Sequence, residues 1–388
     1  MVKRSLNYVL KKAEKADEVI IVGAGNRGKE LYEQFRKNSA IIVKSFFDND
    51  DMLIGNRIDN VEIMKPFKDA NEKVLYVIAV DSSIIRKELH SQLMDLKISA
   101  DNIITYYFFR DYDYLSNLDE KDYKEELQDM YFEFMGREMN WQTPRTYTEK
   151  INWEKLYARD ARKTKLVDKY LVREWVRERI GEEHLTRLYG VWDDADDINF
   201  DILPDAFVLK ANNGSGRNIV VKDKAQIDRQ QVCRQLHEWK NNNIAYKLLE
   251  YQYKDVIPKV ICEEYLEGVA ESVYDYNIFC FHGEPVYIWC IKGSHKPDCK
   301  ASFYTKEWEM MPFSFGYPKD NVVAPKPDKL EEMLALSRVL SRDFQHVRVD
   351  WYNLPDGRVL FGEMTFSTWG GLQRIEPYEY DIKLGELI

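Results

Sequence analysis

Two carboxylates and a guanidinium lie at close spacing near the C-terminal end of the 388-residue sequence. In residues 347–351 (VRVDW), a period of two places Arg348 and Asp350 on one face of a predicted strand and the valines on the other. A Pro-Asp-Gly turn at 355–357 predicts an antiparallel partner strand, which carries Glu363. Carboxylate oxygens beside a guanidinium fit a Mg²⁺ site that stabilises phosphate charge, with Asp350 and Glu363 as ligands. A structural Arg–carboxylate pair across two strands is the alternative.

The register of this predicted hairpin decides whether the three charges meet. With residues 354–357 as a four-residue loop, Asn353 faces Arg358. Arg348 then faces Glu363, and all three charged side chains share one face of the sheet. A one-residue bulge would break this arrangement, because a shift of one residue exchanges the two faces.

A second candidate group combines a lysine with a small polar loop. Residues 207–210 (FVLK) predict a strand that ends in Lys210, and a second strand begins near Ile219. The loop between them can close over phosphates through backbone N–H groups and the Ser215 hydroxyl, while Lys210 supplies a charge from a rigid strand. The P-loop motif is absent, and in isolation an ordinary exposed hairpin is the better interpretation. The loop residues concerned are Asn213, Gly214, Ser215 and Gly216.

A third candidate is the glycine loop of residues 23–28 (GAGNRG). The loop follows an apolar strand and opens a helix, so its backbone N–H groups can approach a phosphate at the helix N-terminus. Asp48 ends the next predicted strand, about where a ribose-binding acid would lie. A compact βα turn that has lost its ligand is the alternative. The predicted nucleotide-binding residues are Gly23, Gly25, Gly28 and Asp48.

The elements that must position the glycine loop form an N-terminal domain. Strand and helix patterns alternate from Glu18 to about Lys97, which predicts a parallel α/β sheet. We place this domain at residues 1–112. Residues 113–145 are acidic and aromatic without strand alternation, and they are predicted to form a helical connector.

A second domain is predicted over residues 146–388. Thr146 and Glu149 fit a capping box that begins its first helix. A further helix, predicted over residues 164–180, carries Lys169. The strands after Pro204 pair mainly as antiparallel hairpins, which indicates an α+β domain.

Composition excludes several classes of protein. The net charge of -10 provides no broad cationic surface, which argues against a nucleic-acid binder. The five cysteines are odd in number and contain no C-x-x-C pair, so neither a disulfide framework nor a zinc site is expected. No segment has the continuous apolar length of a signal peptide or a membrane span, and we expect a cytoplasmic protein.

The order of these motifs resembles the ATP-grasp fold. It comprises a helical lysine, a strand lysine with a glycine loop, the Glu-Glu-Tyr-Leu segment at 263–266, then Arg-x-Asp and a distal glutamate. The chain over roughly residues 135–388 resembles the TupA-like ATP-grasp family, associated with teichuronopeptide and capsule biosynthesis. The N-terminal segment resembles Rossmann-like domains beside sugar-modifying enzymes of polysaccharide loci, some of which bind nucleotide sugars. The TupA-like segments are 150–153 (KINW), 164–170 (TKLVDKY), 203–204 (LP) and 361–366 (FGEMTF).

The resemblance implies a Rossmann-like parallel-sheet domain followed by an α+β ATP-grasp domain, with ATP and Mg²⁺ as cofactors. The Glu264 carbonyl and the Leu266 amide would meet the adenine edge. Glu267 and Glu271 are candidates for ribose contacts, although a solvated acidic surface is the favoured alternative for each. The residues implied at the ATP site are Lys169, Lys210, Asn213, Gly214, Ser215, Gly216, Glu263, Glu264 and Leu266.

The implied activity is a ligase that joins a carboxylate to an amine through an acyl phosphate, with Arg348 and Lys210 as catalytic residues. The partners would be a small-molecule or glycan-precursor carboxylate, an amine and a nucleotide sugar at the N-terminal domain. A phosphotransferase and a non-catalytic nucleotide sensor are the alternatives. Thr365 replaces the asparagine of the commonest ATP-grasp pattern, and Asn277 stands where a basic residue is expected. Residues 367–371 could shape the acceptor pocket through backbone donors, or form an irregular surface loop.

Overall fold

The computed structural model describes residues 3, 4, 6–80, 82–106, 112–266, 274–293 and 298–388. The chain divides into two compact units, Met1–Glu138 and Met139–Ile388. Each unit contains its own buried hydrophobic clusters. Among the helices of the described ranges, none combines the length and apolar character needed to cross a bilayer.

The first unit is built on a seven-stranded sheet in the order β1-β7-β6-β2-β3-β5-β4. All neighbouring pairs are parallel except β4 with β5, so the predicted parallel α/β sheet is confirmed. The strands are β1 Lys3–Arg4, β2 Glu18–Val22, β3 Val43–Phe47, β4 Arg57–Ile58, β5 Val61–Met64, β6 Val74–Ile78 and β7 Ile103–Tyr106.

Helices cover both faces of this sheet. Along β2, Val19 and Ile21 belong to one buried cluster, while Ile20 and Val22 belong to another on the opposite face. Burial on both faces explains why β2 is continuously apolar instead of alternating. The helices are α1 Leu6–Ala13, α2 Asn26–Arg36, α3 Ser83–Asp95, α4 Tyr112–Ser116 and α5 Tyr123–Met135.

The helices of the second unit begin at the predicted cap. Thr146 Oγ1 accepts the Glu149 N–H at 3.2 Å, and Glu149 Oε2 accepts the Thr146 N–H at 3.1 Å, which confirms the capping box. The helices are α6 Tyr147–Tyr157, α7 Ala161–Val167, α8 Val172–Ile180, α9 Arg229–Asn241, α10 Ala245–Leu248, α11 Leu330–Ser341 and α12 Glu379–Glu386.

Two main antiparallel sheets complete the second unit, and they confirm the predicted α+β class. One has the order β10-β9-β11-β8, and the other has the order β14-β13-β12-β16-β17. A two-stranded sheet pairs β15 with β18. The strands are β8 Leu188–Trp192, β9 Phe207–Ala211, β10 Asn218–Val221, β11 Val260–Glu264, β12 Tyr274–Phe281, β13 Glu284–Lys292, β14 Lys300–Thr305, β15 Ser314–Phe315, β16 His346–Asn353, β17 Val359–Thr365 and β18 Ile375–Glu376.

The single helix predicted over residues 164–180 is wrong, because the chain breaks between α7 and α8. The Asp168 carboxylate accepts the N–H groups of Tyr170 and Leu171 at 2.8 and 3.1 Å. An aspartate that takes these donors competes with the helical hydrogen-bond pattern and ends the first helix. Lys169 therefore lies in a turn between two helices, and its predicted helical position is corrected.

The predicted register of the β16–β17 hairpin is also wrong. Asn353 pairs with Val359, because Leu354 donates to the Arg358 carbonyl and lengthens the loop by one residue. This offset alone would turn Glu363 to the opposite face. A bulge at Gly362 restores the face, so that Asp350 pairs with Glu363.

Candidate active site

Arg348 holds both carboxylates of the β16–β17 pair. Its Nε and Nη2 atoms donate to Asp350 Oδ1 and Oδ2 at 2.7 and 2.6 Å, which is a bidentate pair. Its Nη2 also donates to Glu363 Oε1 at 3.1 Å. The three side chains are mostly buried. The structure thus brings these predicted site residues together, although through a different register.

Lys169 completes this group from the turn before α8. Its Nζ donates to Glu363 Oε2 at 2.9 Å, while the Thr365 hydroxyl donates to Glu363 Oε1 at 3.0 Å. The Lys169 N–H donates to the Asn212 carbonyl at 3.1 Å, which ties the turn to the end of β9. We call Lys169, Arg348, Asp350 and Glu363 the carboxylate centre.

The two carboxylates of this centre have opposite pKa shifts. Burial raises the pKa of Asp350 to about 6, because the charge of Arg348 only partly offsets the desolvation. Burial also opposes ionisation of Glu363, but the charges of Lys169 and Arg348 outweigh it and lower the pKa to about 2. Asn277 pairs with Asp350 across β12 and β16, and its amide nitrogen can donate to both Asp350 oxygens at 3.2 Å. Asn277, which stands where a basic residue was expected, is therefore a hydrogen-bond donor to Asp350.

A second buried group surrounds Lys210 on β9. Lys210 Nζ donates to Glu263 Oε2 at 2.6 Å, and Arg173 Nη1 donates to Glu263 Oε1 at 2.8 Å. Lys210 pairs with Ile261 of β11, so Glu263, two residues further along, shares its face. We call Arg173, Lys210 and Glu263 the lysine cluster. Sequence analysis missed Arg173, because nothing in α8 signals a partner on β11.

Electrostatics links the lysine cluster to the carboxylate centre. Burial would lower the pKa of Lys210, but the negative charges of Glu263 and Glu363 raise it overall. Burial would raise the pKa of Glu263, but the charge of Lys210 lowers it overall. Both groups are therefore ionised at neutral pH. The cluster carries two cations and one anion, an excess of positive charge.

The loop between β9 and β10 has a buried half and an exposed half. Asn213 and Gly214 are buried, whereas Ser215 and Gly216 are exposed at the tip. Gly216 has a φ of +71°, a left-handed conformation that glycine adopts at little cost. Arg217 closes the loop, because its N–H groups donate to the Trp239 and Asn242 carbonyls at 2.9 and 2.6 Å. The exposed tip can meet a ligand directly.

The segment after β11 holds the predicted adenine contacts. The Glu264 N–H donates to the Arg187 carbonyl at 2.9 Å, and the Glu264 carboxylate pairs with Arg358 at 3.3 Å. Leu266 is buried in a small cluster that also contains Leu354 and Leu360. Glu263 points away from this segment into the lysine cluster. The ribose candidates Glu267 and Glu271 lie outside the described residues.

The glycine loop of the first unit has its own geometry. Gly23 has a φ of +110°, and a Cβ on Gly28 would lie 1.8 Å from the Gly23 carbonyl oxygen. A Cβ on Gly25 would meet nothing within 4 Å, so this position is open. Asp48 Oδ2 accepts the Ala24 N–H at 2.7 Å. Asp48 thus orders the loop itself.

Comparison with known proteins gives family matches to both units. The TupA-like ATPgrasp family matches residues 149–388, and the CoA binding domain family matches residues 14–91. No curated protein matches the chain.

Among solved structures, an N5-carboxyaminoimidazole synthase from Aspergillus clavatus is 12% identical with a TM-score of 0.32, covering 91% of this chain and 70% of that one. An L-amino acid ligase from Bacillus licheniformis is 12% identical with a TM-score of 0.35, covering 92% and 69%. A D-alanine–D-alanine ligase from Bacillus anthracis is 13% identical with a TM-score of 0.32, covering 90% and 85%.

The first family match spans more than half of the chain and contains the carboxylate centre, the lysine cluster and the β9–β10 loop. The second match contains the glycine loop and Asp48. The family and the two-domain fold class implied by the sequence motifs are confirmed. The chain belongs to the TupA-like ATP-grasp family and carries a Rossmann-like domain before the residues that the family matches.

Proposed function

We propose that this chain is an ATP-dependent ligase. It would join a carboxylate to an amine with ATP and Mg²⁺, release ADP, and act in capsular or cell-surface polysaccharide modification. One observation carries the proposal. Lys169 and Arg348 are mostly buried cations that pair with Asp350 and Glu363 at 2.6 to 3.1 Å. The charge of Glu363 also helps to raise the pKa of Lys210. A nucleotide sensor would need only phosphate binding, whereas this group also provides paired carboxylates for a transfer step.

The lysines would bind the ATP phosphates by changing partners. Lys169 now pairs with Glu363, and Lys210 pairs with Glu263. Arg173 pairs with the other Glu263 oxygen, so Glu263 stays neutralised when Lys210 turns to a phosphate. The loop of residues 213–216 would cover the phosphates through its exposed tip. The Glu264 carbonyl and the Leu266 amide would bind the adenine edge.

The donor set of the carboxylate centre fits Mg²⁺. Asp350 and Glu363 are paired across β16 and β17, and both offer carboxylate oxygens, the ligands that Mg²⁺ prefers. Glu363 is ionised because Lys169 and Arg348 lower its pKa to about 2. When bound there, the metal would polarise a phosphoryl oxygen and neutralise developing charge. Thr365 is a weaker candidate, because its hydroxyl is neutral whereas the carboxylates carry charge.

The transfer would proceed in two steps through the substrate carboxylate. A carboxylate oxygen attacks the γ-phosphorus of ATP, the bond to the bridging oxygen breaks, and ADP leaves. Arg348 stabilises negative charge on the transferred group, because its guanidinium is fixed by Asp350 and Glu363. The amine then attacks the carbonyl carbon of the acyl phosphate and loses a proton. The products are an amide and inorganic phosphate.

We propose a separate role for the N-terminal unit in binding a nucleotide or nucleotide sugar. The open position at Gly25 supports this proposal, since a phosphate can approach the backbone there at the start of α2. Asp48 would order the loop and lie near the ligand. The nucleotide sugar would present the glycan precursor.

A screen of substrate pairs tests the proposed reaction. We would measure ADP release with nucleotide-activated uronic acids and amines in all combinations, and identify the products by mass spectrometry. An amide product formed with equal amounts of ADP and phosphate is expected. A stable phosphorylated product without free phosphate would establish a phosphotransferase instead. ATP binding without ADP release across the whole panel would favour the sensor.

A further inference from the structure

The turn after β17 is strained in a way that needs explanation. Trp369, Gly370 and Gly371 have consecutive φ values of 53°, 60° and 65°, all left-handed. For the two glycines this costs little, but a tryptophan in this conformation costs about 1 kcal/mol or more. Residues held in such conformations are concentrated at functional sites. We call residues 368–371 the acceptor turn.

Two side chains of helix α6 donate hydrogen bonds to carbonyl groups of the acceptor turn. Lys155 Nζ donates to the Gly370 carbonyl at 2.6 Å and to the Leu248 carbonyl at 2.8 Å. Asn152 Nδ2 donates to the Gly371 carbonyl at 2.7 Å. Asn152 and Lys155 are buried, and a Cβ on Gly371 would lie 2.8 Å from Asn152 Nδ2. A buried lysine therefore serves backbone carbonyls here, with no carboxylate among its hydrogen-bond partners in the described chain.

The acceptor turn adjoins one side of the carboxylate centre. Glu363 Oε2 faces Lys169, which is proposed to bind phosphate, whereas Oε1 faces Arg348 and Thr365. Arg348 Nη1 also donates to the Thr368 hydroxyl at 3.4 Å. The turn thus lies on the Oε1 side, where the acceptor of the phosphoryl group would approach.

A row of aromatic rings leads from Arg348 to the surface on this side. The Arg348 guanidinium lies 5.8 Å from the Trp289 ring centroid, and Trp289 stacks on Tyr317 at 5.7 Å. Tyr317 meets Trp369 edge to face at 5.5 Å. Trp289 is buried, whereas Trp369 is 40% exposed. An exposed ring beside buried rings and a charged centre can contact the flat face of a ligand ring.

We propose that the acceptor turn, held by Asn152 and Lys155, forms a subsite in which Trp369 contacts the ring of a ring-bearing carboxylate substrate. The proposal rests on the ligase function for the carboxylate, and on the aromatic row for the ring. Backbone donors contribute less than expected from the sequence, because the Gly370 N–H donates to the Ser367 carbonyl at 2.8 Å. Asn152 and Lys155 are positioning residues.

Fluorine NMR tests this subsite in the full chain. All nine tryptophans would be replaced by 5-fluorotryptophan, and Trp369→Phe would assign the Trp369 resonance. The probes are D-glucuronate as a sugar acid, benzoate as an aryl acid and succinate as an acid without a ring, each titrated with ADP and Mg²⁺ present. At least one ring acid should shift the Trp369 resonance. Succinate should bind about threefold to tenfold more weakly, the range that one aromatic contact supplies.

The three probes also decide what the ring is. A response to D-glucuronate alone identifies a sugar acid, and a response to benzoate alone identifies an aryl acid. An unchanged Trp369 resonance with both ring acids, or succinate binding as tightly as the ring acids, would overturn the proposal. ATP affinity, measured by calorimetry, distinguishes a failure of this subsite from a failure of the ligase proposal. A chain that binds no ATP contradicts the ligase proposal, independently of the Trp369 resonance.

A matched pair of lysine variants tests the positioning role. Lys155→Met should abolish the ligand-induced shift of Trp369 and leave ATP affinity unchanged, because Lys155 contacts the acceptor turn and not the lysine cluster. Lys163→Met is the control, since Lys163 is also buried but pairs with Glu154 at 2.9 Å. It should keep the shift. Retention of the shift in Lys155→Met, or its equal loss in both variants, would contradict the assignment.

Discussion

The glycine loop ending at Gly28 and the hairpin loop around Gly214 both follow a buried strand, yet their surroundings differ in charge. The first loop offers backbone N–H groups, and the carboxylate of Asp48 already accepts one of them. The second loop lies beside Lys210, a mostly buried cation held by Glu263. At the first loop a phosphate would be bound by backbone N–H dipoles in a close-fitting turn. At the second loop it would be bound by the formal charge of a lysine.

This difference predicts which kind of substitution should damage each site most. At the first loop, the tight approach of Gly28 to the Gly23 carbonyl fixes the backbone, so added volume should do most harm. In the second unit, ion pairs fix the side chains of the carboxylate centre and the lysine cluster, so removed charge should do most harm. The variants below test this division, beginning with the largest expected effect.

Removing charge from the carboxylate centre should abolish most turnover. Asp350→Asn or Glu363→Gln is expected to lower turnover at least ~10²-fold, an estimate for losing one preorganised electrostatic element. ATP binding should persist, because the phosphate-binding lysines remain. Steady-state ADP release and calorimetry measure the two quantities. Asp356→Asn is the control, since this exposed carboxylate of the same hairpin pairs with Arg358 and lies outside the carboxylate centre. An equal loss there would contradict the assignment.

Removing the lysine of the second loop should weaken ATP binding. Lys210→Ala is expected to reduce affinity about tenfold to a hundredfold, because a charge-assisted hydrogen bond contributes about 1.5–3 kcal/mol. Lys383→Ala, which removes an exposed lysine paired with Glu379, should leave affinity unchanged. Titration calorimetry with ATP and Mg²⁺ provides the measurement. Wild-type affinity in Lys210→Ala and in Lys169→Ala would show that the phosphates bind elsewhere.

Adding one methyl group should separate structure from binding at the first loop. Gly28→Ala is expected to destabilise the chain by about 1–3 kcal/mol, since overpacking forces the backbone to shift. Gly25→Ala should change stability by less than about 0.5 kcal/mol, because its Cβ meets open space, yet it should block the approach of a phosphate. Urea unfolding and a nucleotide-sugar binding panel measure both. Equal stability of the two variants would break the comparison.

His346, a buried titratable group outside both loops, should make the stability of the second unit depend on pH. Burial lowers the pKa of His346 from 6.5 to about 3, and its ring lies between the Cys280 carbonyl and the Tyr147 hydroxyl. The unfolded chain takes up a proton below pH 6.5 while the folded chain does not, so stability falls as pH falls from 6.5 towards 3. The slope from this group is about 1.4 kcal/mol per pH unit.

His346→Gln should remove that slope and leave the slopes of the other groups. The variant is less stable near neutral pH, because hydrogen bonds to Tyr147 and Cys280 are lost. Its free energy of unfolding in urea, measured at several acid pH values, should approach that of the wild type as pH falls. A constant difference between the two chains across this range would contradict the pKa of His346.

Local sequence patterns predicted the elements better than their junctions. The capping box at Thr146, the strand before the Gly23 loop and the strand after α2 depend on neighbouring residues, and they are confirmed. The bulge at Gly362 was not predicted, although a glycine inside a strand is a signal for one.

The contacts that assemble the site were even less accessible from the sequence. Arg173 pairs with Glu263 across 90 residues, so only tertiary structure shows the contact. Lys155 lies two residues beyond the KINW segment. It is buried, and the sequence gives no sign of this.

The carboxylate–amine ligase proposal is tested most directly by following one oxygen atom. A substrate carboxylate labelled with heavy oxygen, an amine and unlabelled ATP would react in unlabelled water, and mass spectrometry would read the released phosphate. If the carboxylate attacks ATP and the amine then displaces phosphate, the bond broken in amide formation is between carbon and the transferred oxygen. One heavy oxygen should therefore appear in each phosphate. Unlabelled phosphate accompanying the amide would contradict the acyl phosphate and the roles proposed for Arg348, Asp350 and Glu363.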